Sequence, residues 1–100
     1  LPGVSPGSAC NGHIFYVITA SAGERKALMA DLSRHGINTV FHYIPLHSSP
    51  AGKKYARSSG DLSNTEDLSE RLLRLPLFYE MTDEQVRQVV EALYRFYGKR

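Results

Sequence analysis

The sequence has 100 residues, 42% of them hydrophobic, which is the usual size of one domain with a single core. Twelve basic and ten acidic residues give a formal net charge of +2, and the basic residues are scattered, so no nucleic-acid partner is expected. No apolar run approaches the roughly 20 residues needed to cross a bilayer, and the single cysteine, Cys10, excludes an internal disulfide framework, so we expect a soluble, cytoplasmic protein with no membrane partner.

The first third of the chain predicts a linker, a strand and a helix. Residues 1–12 are rich in proline, glycine and serine, and we interpret them as a linker. Residues 13–19 (HIFYVIT) carry apolar side chains on both faces and predict a central strand. Ser21 and Glu24 form a capping box for a helix that continues to about His35. The stripe expected to be buried on this helix consists of Leu28, Met29 and Leu32.

The middle of the chain predicts a second strand and a long irregular segment. The strand covers residues 38–44 (NTVFHYI), and Pro45 ends its pairing. A short helix is predicted near residues 53–57, followed by a loop over residues 58–61. Long loops in a compact domain usually carry function, so a binding site is expected here.

The last third predicts two helices with a short extended segment between them. Asn64 is predicted to cap a helix over residues 65–73, and residues 74–78 are predicted to be an edge strand or connector. Thr82 and Gln85 form a second capping box, which starts the most periodic helix. Its buried face is predicted to consist of Val86, Val89, Val90, Leu93, Phe96 and Tyr97. The element order predicts an α+β fold, a small antiparallel or mixed sheet with helices packed on one face.

Polar and aromatic side chains are densest over residues 41–47 (FHYIPLH), where the second predicted strand enters the loop. Strand alternation places His42 and Tyr43 on opposite faces, so that one of them can face a ligand. In the alternative, Tyr43 packs against a helix and His42 hydrogen-bonds a backbone carbonyl. The spacing of histidines and cysteine gives no metal site, and no lysine lies in the apolar setting that imine chemistry needs. We therefore predict binding residues and no catalytic residue.

The segments His42–His47 (HYIPLH) and Leu75–Leu77 (LPL), followed by Met81 and Thr82, resemble the C-terminal domain of the DegT/StrS-type sugar-nucleotide aminotransferases. Asn11–Val17 is similar to the strand that enters the small domain of that family, and residues 69–79 are similar to its late segment. The amino-acid sequences of residues 41–47 and 71–79 look most similar to those of the dTDP-4-amino-4,6-dideoxygalactose transaminase branch.

The resemblance implies that residues 13–100 are the C-terminal small domain of a fold-type I aminotransferase, joined by residues 1–12 to an N-terminal domain that holds pyridoxal phosphate. The full-length parent would transfer an amino group from glutamate to dTDP-4-keto-6-deoxyglucose, a 4-keto-6-deoxy nucleotide sugar, for surface polysaccharide biosynthesis. It would act as a homodimer with active sites between subunits. The fragment alone would bind no cofactor and would be inactive.

The resemblance also implies which residues approach the substrate. His42 and Tyr43 match the segment that lies against the nucleotide sugar, and His47 and Tyr55 lie on the following loop, which closes over it. Arg71 and Arg74 would offer guanidinium groups for the carboxylates of glutamate, or simply be solvated at a helix end.

Two other interpretations of the residues remain open. The chain could be a free-standing module whose histidine- and aromatic-bearing loop binds a small ligand or a protein, or a purely structural α+β domain. The fragment interpretation predicts exposed apolar patches where a larger domain would pack, and self-association of the isolated chain.

Overall fold

Short helices around a very small sheet make up the computed structural model, which describes residues 3–98. A 3-10 turn covers Leu46–Ser48. The elements are β1 (Tyr16–Ile18), α1 (Ala22–Arg34), α2 (Pro50–Tyr55), α3 (Ser63–Arg71), β2 (Leu72–Arg74) and α4 (Asp83–Phe96). The predicted α+β class, with an antiparallel sheet, is confirmed.

The sheet is built around β2. Val17 pairs with Leu73 in an antiparallel register with β1, and an isolated bridge joins Val40 to Arg74 on the other side of β2. The prediction of a central strand at residues 13–19 is therefore wrong, because β1 is an edge strand and the later segment is central.

The predicted strand over residues 38–44 is reduced to the single bridge at Val40. The reason lies in its partner: in the antiparallel register set by Val40 and Arg74, residues 41–44 would lie opposite residues 73–70, and residues 70 and 71 still belong to α3. The Leu72 amide, which would face residue 42, donates to the Leu68 carbonyl at the end of α3, so residues 41–44 leave the sheet.

The two long helices begin where the sequence predicts. The Ser21 hydroxyl accepts from the Glu24 amide at 3.1 Å, and both halves of the Thr82–Gln85 capping box are present. The reciprocal contact predicted for Glu24 is absent from the described hydrogen bonds, since its carboxylate instead accepts from the Tyr97 hydroxyl at 2.6 Å.

The two short helices differ from their predicted bounds for local reasons. α2 starts earlier, at Pro50, because the Ser49 hydroxyl accepts from the Gly52 amide at 2.9 Å. Asn64 is not the cap of α3, because the Asp61 carboxylate already accepts from the Ser63 amide at 2.9 Å and the helix begins at Ser63. α3 ends at Arg71, where the chain becomes extended and enters β2.

The core lies where α1, β2 and α4 meet. Its fully buried members are Leu28, Leu32, Leu73 and Ala92, and Leu75 and Val89 are each 8% exposed. Met29, Leu93 and Phe96 pack partly against these residues. The wider buried face predicted for α4 is wrong at Val86, Val90 and Tyr97, which are 46%, 39% and 43% exposed, because α4 presents only one stripe to the core. The exposed apolar surface that the fragment interpretation predicts is present.

Candidate functional site

An open cleft of about 290 Å³ lies beside the segment that follows Val40. Its lining combines aromatic and apolar groups of that segment with polar groups of α1 and α3. The lining residues are Arg25, Phe41, Tyr43, Ile44, Pro45, Ser48, Glu66, Ser69 and Glu70. Aromatic surface beside a few convergent polar groups is the usual composition of a ligand site.

Residues 41–44, which we call the 41–44 arm, run along the cleft between two anchored ends. At one end the Val40 carbonyl accepts from the Arg74 amide at 2.8 Å. At the other end the Pro45 carbonyl accepts from the Ser48 amide at 3.1 Å, at the start of the 3-10 turn. Among residues 3–98, the arm itself makes no hydrogen bond from backbone to backbone.

His42 and Tyr43 lie next to each other on this arm, with ring centroids 5.3 Å apart and a tilt of 45°. The prediction that they point to opposite faces is wrong, because strand alternation does not apply outside the ladder. The Tyr43 side chain is 74% exposed in the cleft, so the alternative in which it packs against a helix is also wrong.

His42 is half-buried, and its Nδ1 atom is buried without a hydrogen-bond partner among the described residues. Burial lowers the pKa of His42 below its ordinary value, and the nearby positive charge of Arg74 lowers it further. The imidazole is therefore neutral near pH 7, with one ring nitrogen available as a donor or an acceptor.

His47 reaches the cleft only through Glu66, whose Oε1 lies 3.2 Å from the His47 Nε2 atom. It also lines a second cleft of about 510 Å³ together with Lys53 and Arg57. Tyr55 is 77% exposed, has the Lys54 ammonium 4.9 Å from its ring centroid, and lines neither cleft. Of the four predicted site residues, Tyr43 lines the cleft, His42 lies beside Tyr43, His47 contacts the cleft through Glu66, and Tyr55 lies apart.

Arg71 and Arg74, the two arginines considered as partners for a glutamate carboxylate, make different contacts in the structure. Arg71 donates from Nε to the Asp67 carboxylate at 3.0 Å and from Nη1 to the Thr19 carbonyl at 3.0 Å, so it ties α3 to the end of β1. Arg74 lies on β2, where its charge acts on His42.

Arg25 and the carboxylates of α3 are site residues that the sequence reasoning missed. Glu66 and Glu70 are one helical turn apart, and this i, i+4 spacing was a readable signal that both share one face of α3. Arg25 gave no such signal, because its partners Phe41 and Ser69 are far away in sequence.

The described residues do not fit a site for pyridoxal phosphate. Lys26, Lys53 and Lys54 are exposed and none lines the cleft beside Tyr43, so no lysine within residues 3–98 is placed for an imine. The same part of the chain contains no group of three or more potential metal ligands. None of its helices has the length and apolar character needed to span a membrane.

Comparison with known proteins gives the family. Residues 4–94 match the model of the DegT/DnrJ/EryC1/StrS aminotransferase family. The chain belongs to this family. One curated relative is the pleiotropic regulatory protein of Geobacillus stearothermophilus. It is 36% identical over 86 residues, which cover 85% of this chain and 23% of that protein.

Solved structures of aminotransferases carry the same fold. DesV of S. venezuelae, crystallised with a ketimine intermediate, superposes with a TM-score of 0.84 at 32% identity, covering 100% of this chain and 26% of DesV. The aminotransferase TlmJ of Streptoalloteichus hindustanus gives a TM-score of 0.83 at 27% identity, covering 97% of this chain and 25% of TlmJ. The chain of this DegT/DnrJ/EryC1/StrS family member spans about a quarter of the length of these relatives. The predicted family is confirmed, while the dTDP-4-amino-4,6-dideoxygalactose branch stays a prediction.

Proposed function

We propose that residues 13–100 are the C-terminal small domain of a pyridoxal-phosphate-dependent transaminase and that residues 1–12 link it to the domain that holds the cofactor. Family membership and the quarter-length match to aminotransferases support this proposal. Pyridoxal phosphate supplies the electron sink for amino transfer when it is bound. The exposed lysines of the described residues are consistent with an imine-forming lysine outside this domain.

The proposed reaction of the full-length protein transfers the amino group of glutamate to the 4-keto carbon of dTDP-4-keto-6-deoxyglucose, for surface polysaccharide. This proposal is supported by the amino-acid sequences of residues 41–47 and 71–79, which resemble the dTDP-4-amino-4,6-dideoxygalactose transaminase branch of the family. The proposed assembly is a cytoplasmic homodimer with active sites between subunits.

The observation that carries the proposal is the cleft around Tyr43. Its ring is 74% exposed and offers an apolar face to a sugar ring or a base, with a hydroxyl at its edge. The carboxylates of Glu66 and Glu70 can accept hydrogen bonds from sugar hydroxyls on the other side of the same cleft. In this proposal the domain binds and orients the substrate, and the chemistry takes place on the cofactor domain.

The two histidines have different proposed roles. The Nδ1 atom of neutral His42, which has no partner among the described residues, is a hydrogen-bonding group for the substrate or for the neighbouring domain. His47 holds the Glu66 carboxylate in place. Tyr55, on the outer face of α2, contacts substrate only if residues 46–62 move toward the cleft, and it is the weakest member of the proposed set.

An amino-transfer assay on the full-length parent tests the proposal. With dTDP-4-keto-6-deoxyglucose and glutamate, we expect turnover by the wild type and a raised KM for the nucleotide sugar in His42→Ala and Tyr43→Phe. A UDP-linked keto-sugar serves as the comparison substrate for the nucleotide. Absence of turnover with every keto-sugar nucleotide would contradict the transaminase proposal and leave the binding-module alternative.

A further inference from the structure

We propose that Arg25 is a positioning residue that holds the 41–44 arm, and with it His42 and Tyr43, in the binding arrangement at the cleft. The kinetic part of this inference rests on the proposed transaminase function. Its structural part does not, because it concerns only contacts within this chain.

The arm needs a side-chain anchor. Its flanking residues Val40 and Pro45 are fixed through their carbonyls, but the four residues between them make no backbone-to-backbone hydrogen bond within the described chain. Tyr43 and Ile44 are 74% and 60% exposed, so packing gives them little restraint. A contact that fixes Phe41 therefore decides where the next two side chains lie.

Arg25 makes that contact from a rigid base. Its guanidinium carbon lies 5.0 Å from the centroid of the Phe41 ring, within the range of a cation–π interaction. The helix that carries it is fixed in the core by the fully buried Leu28 and Leu32. The arm is thus held against α1 rather than against the sheet that it has left.

A second bond fixes the guanidinium itself. Its Nη1 atom donates to the Ser69 carbonyl, 2.8 Å away, near the end of α3. Its Nε atom is buried without a partner among the described residues, which shows that the group is turned into the protein rather than into solvent. Arg25 therefore joins α1, α3 and the arm, and a planar guanidinium suits this because it can stack on a ring and donate in its plane at once.

Variants at this position separate the contribution of the positive charge from that of the planar guanidinium. Arg25→Lys keeps a positive charge near Phe41 but loses the planar group, and Arg25→Gln loses the charge. Arg34→Gln is the matched control, because Arg34 lies on the same helix, its side chain is 74% exposed, and its described ion pair is with Asp31, away from the cleft.

The first measurement follows the imidazole of His42 by NMR titration of this chain. In the wild type and in Arg34→Gln, the pKa of His42 is expected below its ordinary value of 6.5 because of burial and of Arg74. In Arg25→Gln the released arm exposes the imidazole, so the pKa is expected to rise toward that value, with Arg25→Lys in between. An unchanged His42 titration in both Arg25 variants would overturn the proposal, and if Arg25→Gln does not fold, Arg25→Lys decides.

The second measurement is steady-state kinetics of the full-length parent. Arg25→Gln is expected to raise the KM for the nucleotide sugar about tenfold while kcat stays within about twofold, and Arg25→Lys is expected to recover part of the loss. A lower kcat with unchanged KM would contradict a positioning role. A shifted His42 titration in a parent that transfers no amino group would instead count against the proposed function and leave the role of Arg25 intact.

Discussion

His42 has an environment that ties its charge state to the fold. The imidazole is half-buried and lies near Arg74, and both features disfavour its protonated form. Acidification therefore adds a proton to the unfolded chain more readily than to the folded one. Mild acid is therefore expected to weaken the fold around the arm.

The stability of the wild type is expected to fall more steeply on acidification than that of His42→Gln. The pKa of His42 is lowered in the fold, so its contribution to the free energy of unfolding is complete above its ordinary pKa of 6.5 and is lost as pH falls through the folded pKa. Urea denaturation of both proteins at about pH 7.5 and about pH 5 measures this difference. Equal losses in the two proteins would show that His42 is not held neutral, because the other histidines are common to both.

At the scale of elements, local patterns predicted the helices well and the sheet poorly. Ser21 and Thr82 predicted the starts of α1 and α4 correctly, because a cap is a contact between residues three positions apart and can be read from the local sequence. The strand over residues 38–44 failed because pairing depends on donors of a distant partner, and the Leu72 amide that would face residue 42 donates instead to the Leu68 carbonyl at the end of α3.

The same distinction between local and distant contacts applies to the candidate site. Residues 41–47 stood out by composition, so the sequence pointed to this segment, in which Tyr43 lines the cleft and His42 lies beside it. Arg25 was missed because its contacts to Phe41 and Ser69 exist only after α1, α3 and the arm have packed together.

A side-chain hydrogen bond between α4 and α1 can be tested by a second titration experiment. The Tyr97 hydroxyl donates to Glu24 and joins the end of α4 to the start of α1, and burial, then this hydrogen bond and the charge of Glu24, raise the pKa of Tyr97 to about 12. Its stabilising contribution is complete below the ordinary pKa of 10.0 and is lost as pH rises through about 12. Tyr97→Phe is expected to remove the last step of a spectrophotometric tyrosine titration and, because the side chain is 43% exposed, to cost only about 0.5 kcal/mol at neutral pH. Persistence of that late step in Tyr97→Phe would refute the assignment.

At the scale of the whole molecule, much apolar surface lies outside the core. Val86, Val90 and Tyr94 are 46%, 39% and 53% exposed along α4, and Leu46 and Tyr79 are 84% and 101% exposed elsewhere. The three α4 residues follow one another at i, i+4 spacing, and a contiguous apolar stripe of this kind is typical of contacts with other protein. It agrees with a domain that packs on a larger partner in the proposed full-length enzyme.

The isolated chain is expected to self-associate for this reason. Static light scattering over about 10 µM to 1 mM should show an apparent mass that rises with concentration, because burial of exposed apolar groups favours association by mass action. A monomer across the whole range would weaken the view that these faces are covered in the parent.

The central claim is that the cleft beside the 41–44 arm binds the nucleotide sugar, and a matched pair of tyrosine variants in the full-length parent tests it most directly. Tyr43 and Tyr79 are both exposed, at 74% and 101%, but only Tyr43 lines the cleft. We expect Tyr43→Ala to raise the KM for dTDP-4-keto-6-deoxyglucose about tenfold and Tyr79→Ala to leave it within about twofold. Equal KM values for the two variants would contradict the assignment of substrate binding to this cleft.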